Sequence, residues 1–170
     1  MVKELFILAK MLFTSHPRDF LGENMPVRVM QHFPAKGYKA MSWCGTLILR
    51  RNVHFNGAIY LNTAQGLRTL RHERIHREQA IATHPRSWML YYLSYRWHWL
   101  RLAPWRNPGK AAYYCNPYEV EAYANDERLG YSVNYTTQHL RGKYTIPHAR
   151  RLYKQLGGTK EAWIQYIRTL

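Results

Sequence analysis

The run Thr69–Ala80, TLRHERIHREQA, holds His72, Glu73 and His76 in the order H-E-x-x-H. Histidines four apart on a helix project from one face about one turn apart, near enough to share a tetrahedral ion. Glu73 would project beside such a site without joining it, which suits a base that takes a proton from metal-activated water attacking a carbonyl. The metal matters because it lowers the pKa of bound water from about 15.7 to near 7, within reach of an ordinary carboxylate. Zinc is the expected ion, since mixed imidazole and carboxylate ligation favours it.

A catalytic zinc has three protein ligands and one position left for solvent, so another ligand must come from elsewhere in the chain. Acids are scarce: 25 Lys plus Arg stand against 10 Asp plus Glu, for a net charge of +15. Four of those acids, Glu119, Glu121, Asp126 and Glu127, fall within the single segment YEVEAYANDE. Glu119 and Glu121 both suit the role. On a regular helix they point about 200° apart, so only one of them can face the ion.

HERIH followed by a later helix of the form E-x-x-A-[D/N] resembles the gluzincin branch of zinc metallopeptidases. More narrowly, HERIHREQ with NPYEVEAYAND is similar to a family of short bacterial metallopeptidase-like proteins; the match covers roughly Asn62 to Leu129. The resemblance implies His72, His76 and Glu121 as ligands of one Zn2+, Glu73 as general base, and a peptide or protein substrate. It also implies Asn125, four residues beyond Glu121, as hydrogen-bond partner of a ligand histidine. Many relatives carry Asp there, and Asn supplies no carboxylate to raise imidazole basicity. Glu119 has Tyr123 at the corresponding place, which favours Glu121 as the ligand.

These residues must be positioned by helices. Thr63 can cap a helix whose apolar residues recur at helical spacing to Ala82, with Pro85 closing it. Asn116 as cap and Pro117 in the first turn open a second helix running through Glu127. Helices are also predicted over Val2–Phe13 and Ser87–Leu102, and two more near the C-terminus, the last capped by Thr159. Strands are predicted at Val27–Phe33, Met41–Arg51 and Asn56–Leu61. The order implies an α+β fold: residues 1–170 as one small zincin-like domain, with a short, mostly antiparallel sheet against the active-site helix and a helical C-terminal half.

The positive charge would draw nucleic acid, anionic lipid or acidic protein surfaces, but no zinc finger, phosphate loop or RNA-recognition signature accompanies it. Arg68, Arg71, Arg74 and Arg77 around the motif read as an exposed helix face or as a bias toward acidic peptides. Residues 87–105, SWMLYYLSYRWHWLRLAPW, are too interrupted by Arg96, His98 and Arg101 to span a bilayer; they fit a core helix or a peripheral membrane contact. Two distant cysteines and an N-terminal apolar run broken by Lys10 point to a cytoplasmic protein without disulfides. For oxyanion stabilisation His139, His148, Tyr131 and Tyr135 remain open. The alternative to a peptidase is a non-catalytic zinc-containing module that binds nucleic acid or an anionic membrane through its charge.

Overall fold

The computed structural model describes residues 1–34, 38–51, 60–102, 109–132, 135 and 142–170. Among them the fold is α+β, with seven α-helices and a three-stranded sheet. Helix α1 (Val2–Thr14) leads through a 3-10 turn at Pro17–Phe20 to β1 (Val27–Met30), β2 (Ala40–Trp43) and β3 (Thr46–Arg50). The sheet order is β1-β3-β2.

Sequence predicts one strand over Met41–Arg51, yet this stretch folds into a hairpin. Cys44 and Gly45, at φ 45° and 74°, form the two-residue connection, the left-handed pair that matches strand twist. A Cβ on Gly45 would lie 2.8 Å from the Phe20 ring, so this turn is closed to larger residues. The hairpin inserts β3 between β2 and β1. The sheet is therefore mixed rather than mostly antiparallel: β2 runs antiparallel to β3 and β1 parallel to it. Central β3 buries Leu47, Ile48 and Leu49 completely, as a strand covered on both faces requires. The strand expected at Asn56–Leu61 lies mostly outside the described residues, and Tyr60 and Leu61 are helical.

Helix α2 (Ala64–Thr83) carries the H-E-x-x-H run, and Thr63 Oγ1 accepts the Gly66 N–H at its start. It is followed by α3 (Trp88–Leu102), α4 (Gly109–Tyr114) and α5 (Pro117–Asn125). Asn116 caps α5 by accepting the Tyr118 N–H. The chain ends in α6 (Ala149–Gln155) and α7 (Lys160–Ile167), where Thr159 accepts the Ala162 N–H.

Helix α2 lies between edge strand β2 and helix α5. One apolar cluster, including Cys44, Ala80, Trp88, Tyr91 and Tyr118, joins the hairpin, α2, α3 and α5. Another, including Val120, Tyr153, Trp163 and Ile167, fixes α5 against α6 and α7. Both cysteines are free and buried. Among the described residues no helix is long and apolar enough to cross a membrane.

Three of the four motif arginines of α2, Arg68, Arg71 and Arg77, are held by side-chain or backbone partners rather than forming an exposed face. Arg68 Nε donates to Asp126 Oδ2 and Arg71 Nε to the Asp126 carbonyl, at 2.9 and 2.7 Å. Arg77 is fully buried and pairs with Glu78 at 2.8 Å.

Candidate metal centre

Helix periodicity brings the two motif imidazoles together, with Nε2 atoms 3.2 Å apart and rings nearly perpendicular at 83°. The carboxylate that meets them belongs to Glu119. Its Oε2 lies 3.4 Å from His72 Nε2 and its Oε1 3.3 Å from His76 Nε2. All three side chains are buried. His72, His76 and Glu119 form the only three-residue group among the described residues with potential metal-ligand atoms close enough to share an ion.

Glu121, expected as the third ligand, is directed elsewhere. Val120 and Ala124 dock α5 onto α6 and α7, which leaves Glu119 facing the histidines, and two residues further the helix has turned about 200°. The Glu121 carboxylate accepts from Gln79 Nε2 at 2.9 Å, from Tyr131 Oη at 2.8 Å and from Tyr135 Oη at 2.9 Å. It serves the site through Gln79. Gln79 Nε2 also donates to the Tyr118 carbonyl, which leaves Gln79 Oε1 facing His76 Nδ1 at 2.8 Å. A proton on Nδ1 then leaves the Nε2 lone pair free for a cation, the tautomer that metal ligation needs.

Behind His72 stands Asp126, not Asn125. Asp126 Oδ2 is 3.8 Å from His72 Nδ1, and Arg68 and Arg168 hold the carboxylate in place. Asn125 Nδ2 instead bonds the Glu121 carbonyl and Tyr144 Oη. Tyr95 Oη donates to Glu119 Oε1 at 2.7 Å; burial pushes this phenol far up, so it stays a donor. Of the open oxyanion candidates, Tyr131 and Tyr135 are engaged with Glu121, His148 occupies the N-cap position of α6 in a left-handed conformation without a side-chain cap hydrogen bond, and His139 lies outside the described residues.

The donor set fits a tetrahedral divalent ion. Ligand bonds of about 2.0–2.1 Å imply an edge of roughly 3.3 Å between ligand atoms, matching the separations above. Glu119 Oε2, one of the convergent atoms, is buried without a hydrogen-bond partner. The charge balance without a metal is also telling. Burial pulls the His72 imidazole down, but the Asp126 and Glu119 carboxylates outweigh it and raise it to about 10. Burial likewise opposes ionisation of Glu119, yet the two imidazoles hold its carboxyl well below the usual range.

Glu73 stands next to this triad without joining it. Its Oε2 accepts the backbone N–H of Ser42 in β2 at 2.7 Å, joining the motif helix to the sheet edge. Two clefts meet at Glu73, one of about 1200 Å3 reaching His72 and one of about 400 Å3 reaching His76 and Glu119.

No protein-family model, curated protein or solved structure matches the chain. The gluzincin resemblance thus rests on the motif residues. Sequence reasoning missed Gln79, Asp126 and Tyr95. The first two had a signal: Gln79 follows His76 by three on the same face, and Asp126 follows Glu119 by seven, two helical turns on. Nothing in the sequence pointed to Tyr95, whose helix is placed by tertiary packing.

Proposed function

We propose that the protein is a zinc-dependent peptidase whose metal is held by His72, His76 and Glu119 and whose general base is Glu73. The observation that carries this reading is the placement of Glu73: beside three convergent ligands, at the junction of two clefts, and against an edge strand. Bound zinc would supply a Lewis acid that acidifies water and polarises the substrate carbonyl. Glu73 receives the proton and can return it to the leaving amine. Gln79 orients the His76 imidazole, Asp126 sets a carboxylate charge 3.8 Å from His72 Nδ1, and Tyr95 fixes the Glu119 carboxylate.

The edge strand supplies the means of holding a peptide. Arg50 N–H bonds the Lys39 carbonyl, so in the alternation of an antiparallel pair the backbone of Ala40 and Ser42 faces away from β3; Glu73 takes the Ser42 N–H, which leaves the Ala40 N–H and the two carbonyls as the pairing groups of this edge. A substrate strand can pair there beside Glu73. Protein purified without added metal should contain close to one zinc per chain by elemental analysis. It should cleave members of a mixed peptide library, stop on chelation, and resume when zinc returns; zinc without cleavage of any peptide would remove the enzymatic reading.

A second reading attaches to α3. Leu90, Leu93, Trp97 and Leu100 are exposed at the 3-4-3 spacing of one helix face, beside Arg96 and Arg101. That face supports peripheral contact with anionic lipid more than with nucleic acid. The protein should sediment with phosphatidylserine vesicles but not neutral ones, and Leu93→Ser with Trp97→Ser should abolish this. Unchanged binding in the double variant, or salt-sensitive binding to DNA alone, would point away from the membrane.

A further inference from the structure

The two clefts that meet at Glu73 differ in chemistry. The smaller, beside His76 and Glu119, is walled by Trp43, Tyr91, Tyr92 and Tyr95, is also lined by Arg96, and shares Trp99 and Tyr113 with the larger. Trp43 and Tyr92 stack at 4.8 Å between centroids, giving it a flat apolar wall. Its volume suits one large side chain. The larger cleft, beside His72, is bordered by Lys39, Lys110 and Lys160, exposed side chains from three separate elements. Lys160 Nζ sits 5.1 Å from the Tyr123 ring centroid, and no carboxylate among the described residues pairs with any of the three. Glu161 stands on the same wall, while Asp126 is neutralised by Arg68 and Arg168.

Strand β2 connects the two regions and gives them an order. It leaves Lys39 at the basic cleft and ends at Trp43 in the aromatic one. A peptide pairing antiparallel to β2 runs the opposite way, from the Trp43 end to the Lys39 end. Antiparallel pairing is the more stable of the two modes.

We propose that the site selects an aromatic or bulky apolar residue immediately before the scissile bond and an acidic residue immediately after it. This specificity rests on the peptidase reading above. It differs from the bias expected of the motif arginines, of which Arg68 and Arg71 are held by Asp126 and Arg77 by Glu78. The lysines that replace them come from the approach to β2, from α4 and from α7.

Four internally quenched decapeptides, identical except for a central Phe-Glu, Glu-Phe, Phe-Lys or Ser-Glu, test it with zinc-loaded protein. Phe-Glu should be cut between those residues with a kcat/KM at least about tenfold above each of the others. In the double variant Lys39→Glu with Lys110→Glu, Phe-Lys should overtake Phe-Glu. Equal rates for the four peptides, or preference for Glu-Phe, would overturn the proposal. If the wild-type protein cuts none of them, hydrolysis fails as a reading, and specificity is still decided by binding. Fluorescein-labelled versions titrated into zinc-loaded Glu73→Gln protein should bind in the order led by Phe-Glu, and indifference among them would sink it.

Discussion

Glu73→Gln is expected to lower kcat by about two to four orders of magnitude, the range general-base catalysis contributes, with zinc content unchanged. The substitution keeps shape and removes basicity alone. Its amide oxygen can still accept the Ser42 N–H, so the link between α2 and β2 survives. Glu73 lies outside the His72, His76 and Glu119 group, so the metal has no reason to leave. The competing role is purely architectural: a carboxylate that fastens a helix to an edge strand. In that case Gln would behave as wild type in turnover, and Glu73→Ala would lower the melting temperature without any specific loss of rate. Turnover, zinc stoichiometry and thermal unfolding on the same three proteins separate the two roles, since only a proton acceptor makes Gln inactive and folded at once.

The parts of the site that sequence disclosed are those governed by local rules. The caps at Thr63, Asn116 and Thr159 announce themselves by residue type and place, and each side chain accepts the expected N–H. The pairing of His72 with His76 follows from helix periodicity alone. What depends on how one element meets another was less legible. Gly45 is the one turn signal in the run Met41–Arg51, and Cys44 beside it is a poor advertisement for a left-handed residue, so the hairpin was hidden. The choice between Glu119 and Glu121 turns on which face of α5 meets α2. A family pattern favoured Glu121 through Asn125, but the apolar residues Val120 and Ala124 dock α5 onto α6 and α7. That docking leaves Glu119 facing the histidines. Glu121 still matters, one hydrogen bond further out: the motif pointed to it, while the structure sets Glu119 against the two imidazoles.

That distinction yields a graded expectation. Glu119→Ala should reduce zinc affinity by more than the ~10–100-fold typical of losing an outer hydrogen-bond partner, whereas Glu121→Ala, acting through Gln79 and His76, should stay within that range. Competition against a chelator of known affinity measures both. The pH dependence provides an independent check on what the triad is for. In the metal-free protein His72 is raised to about 10, so the stability it gains from Glu119 and Asp126 is fully present below its ordinary pKa of about 6.5 and is lost as pH climbs through about 10. Zinc needs the same nitrogen without its proton, so its binding should strengthen with pH and release protons. The rise in melting temperature on adding zinc should therefore be larger at pH 8 than at pH 6, and Glu119→Gln, which retains an acceptor for Tyr95 but not the charge, should shrink it at both. A buried ion pair with no affinity for metal would show only the first trend, stability falling toward alkaline pH, with zinc making no difference at either value.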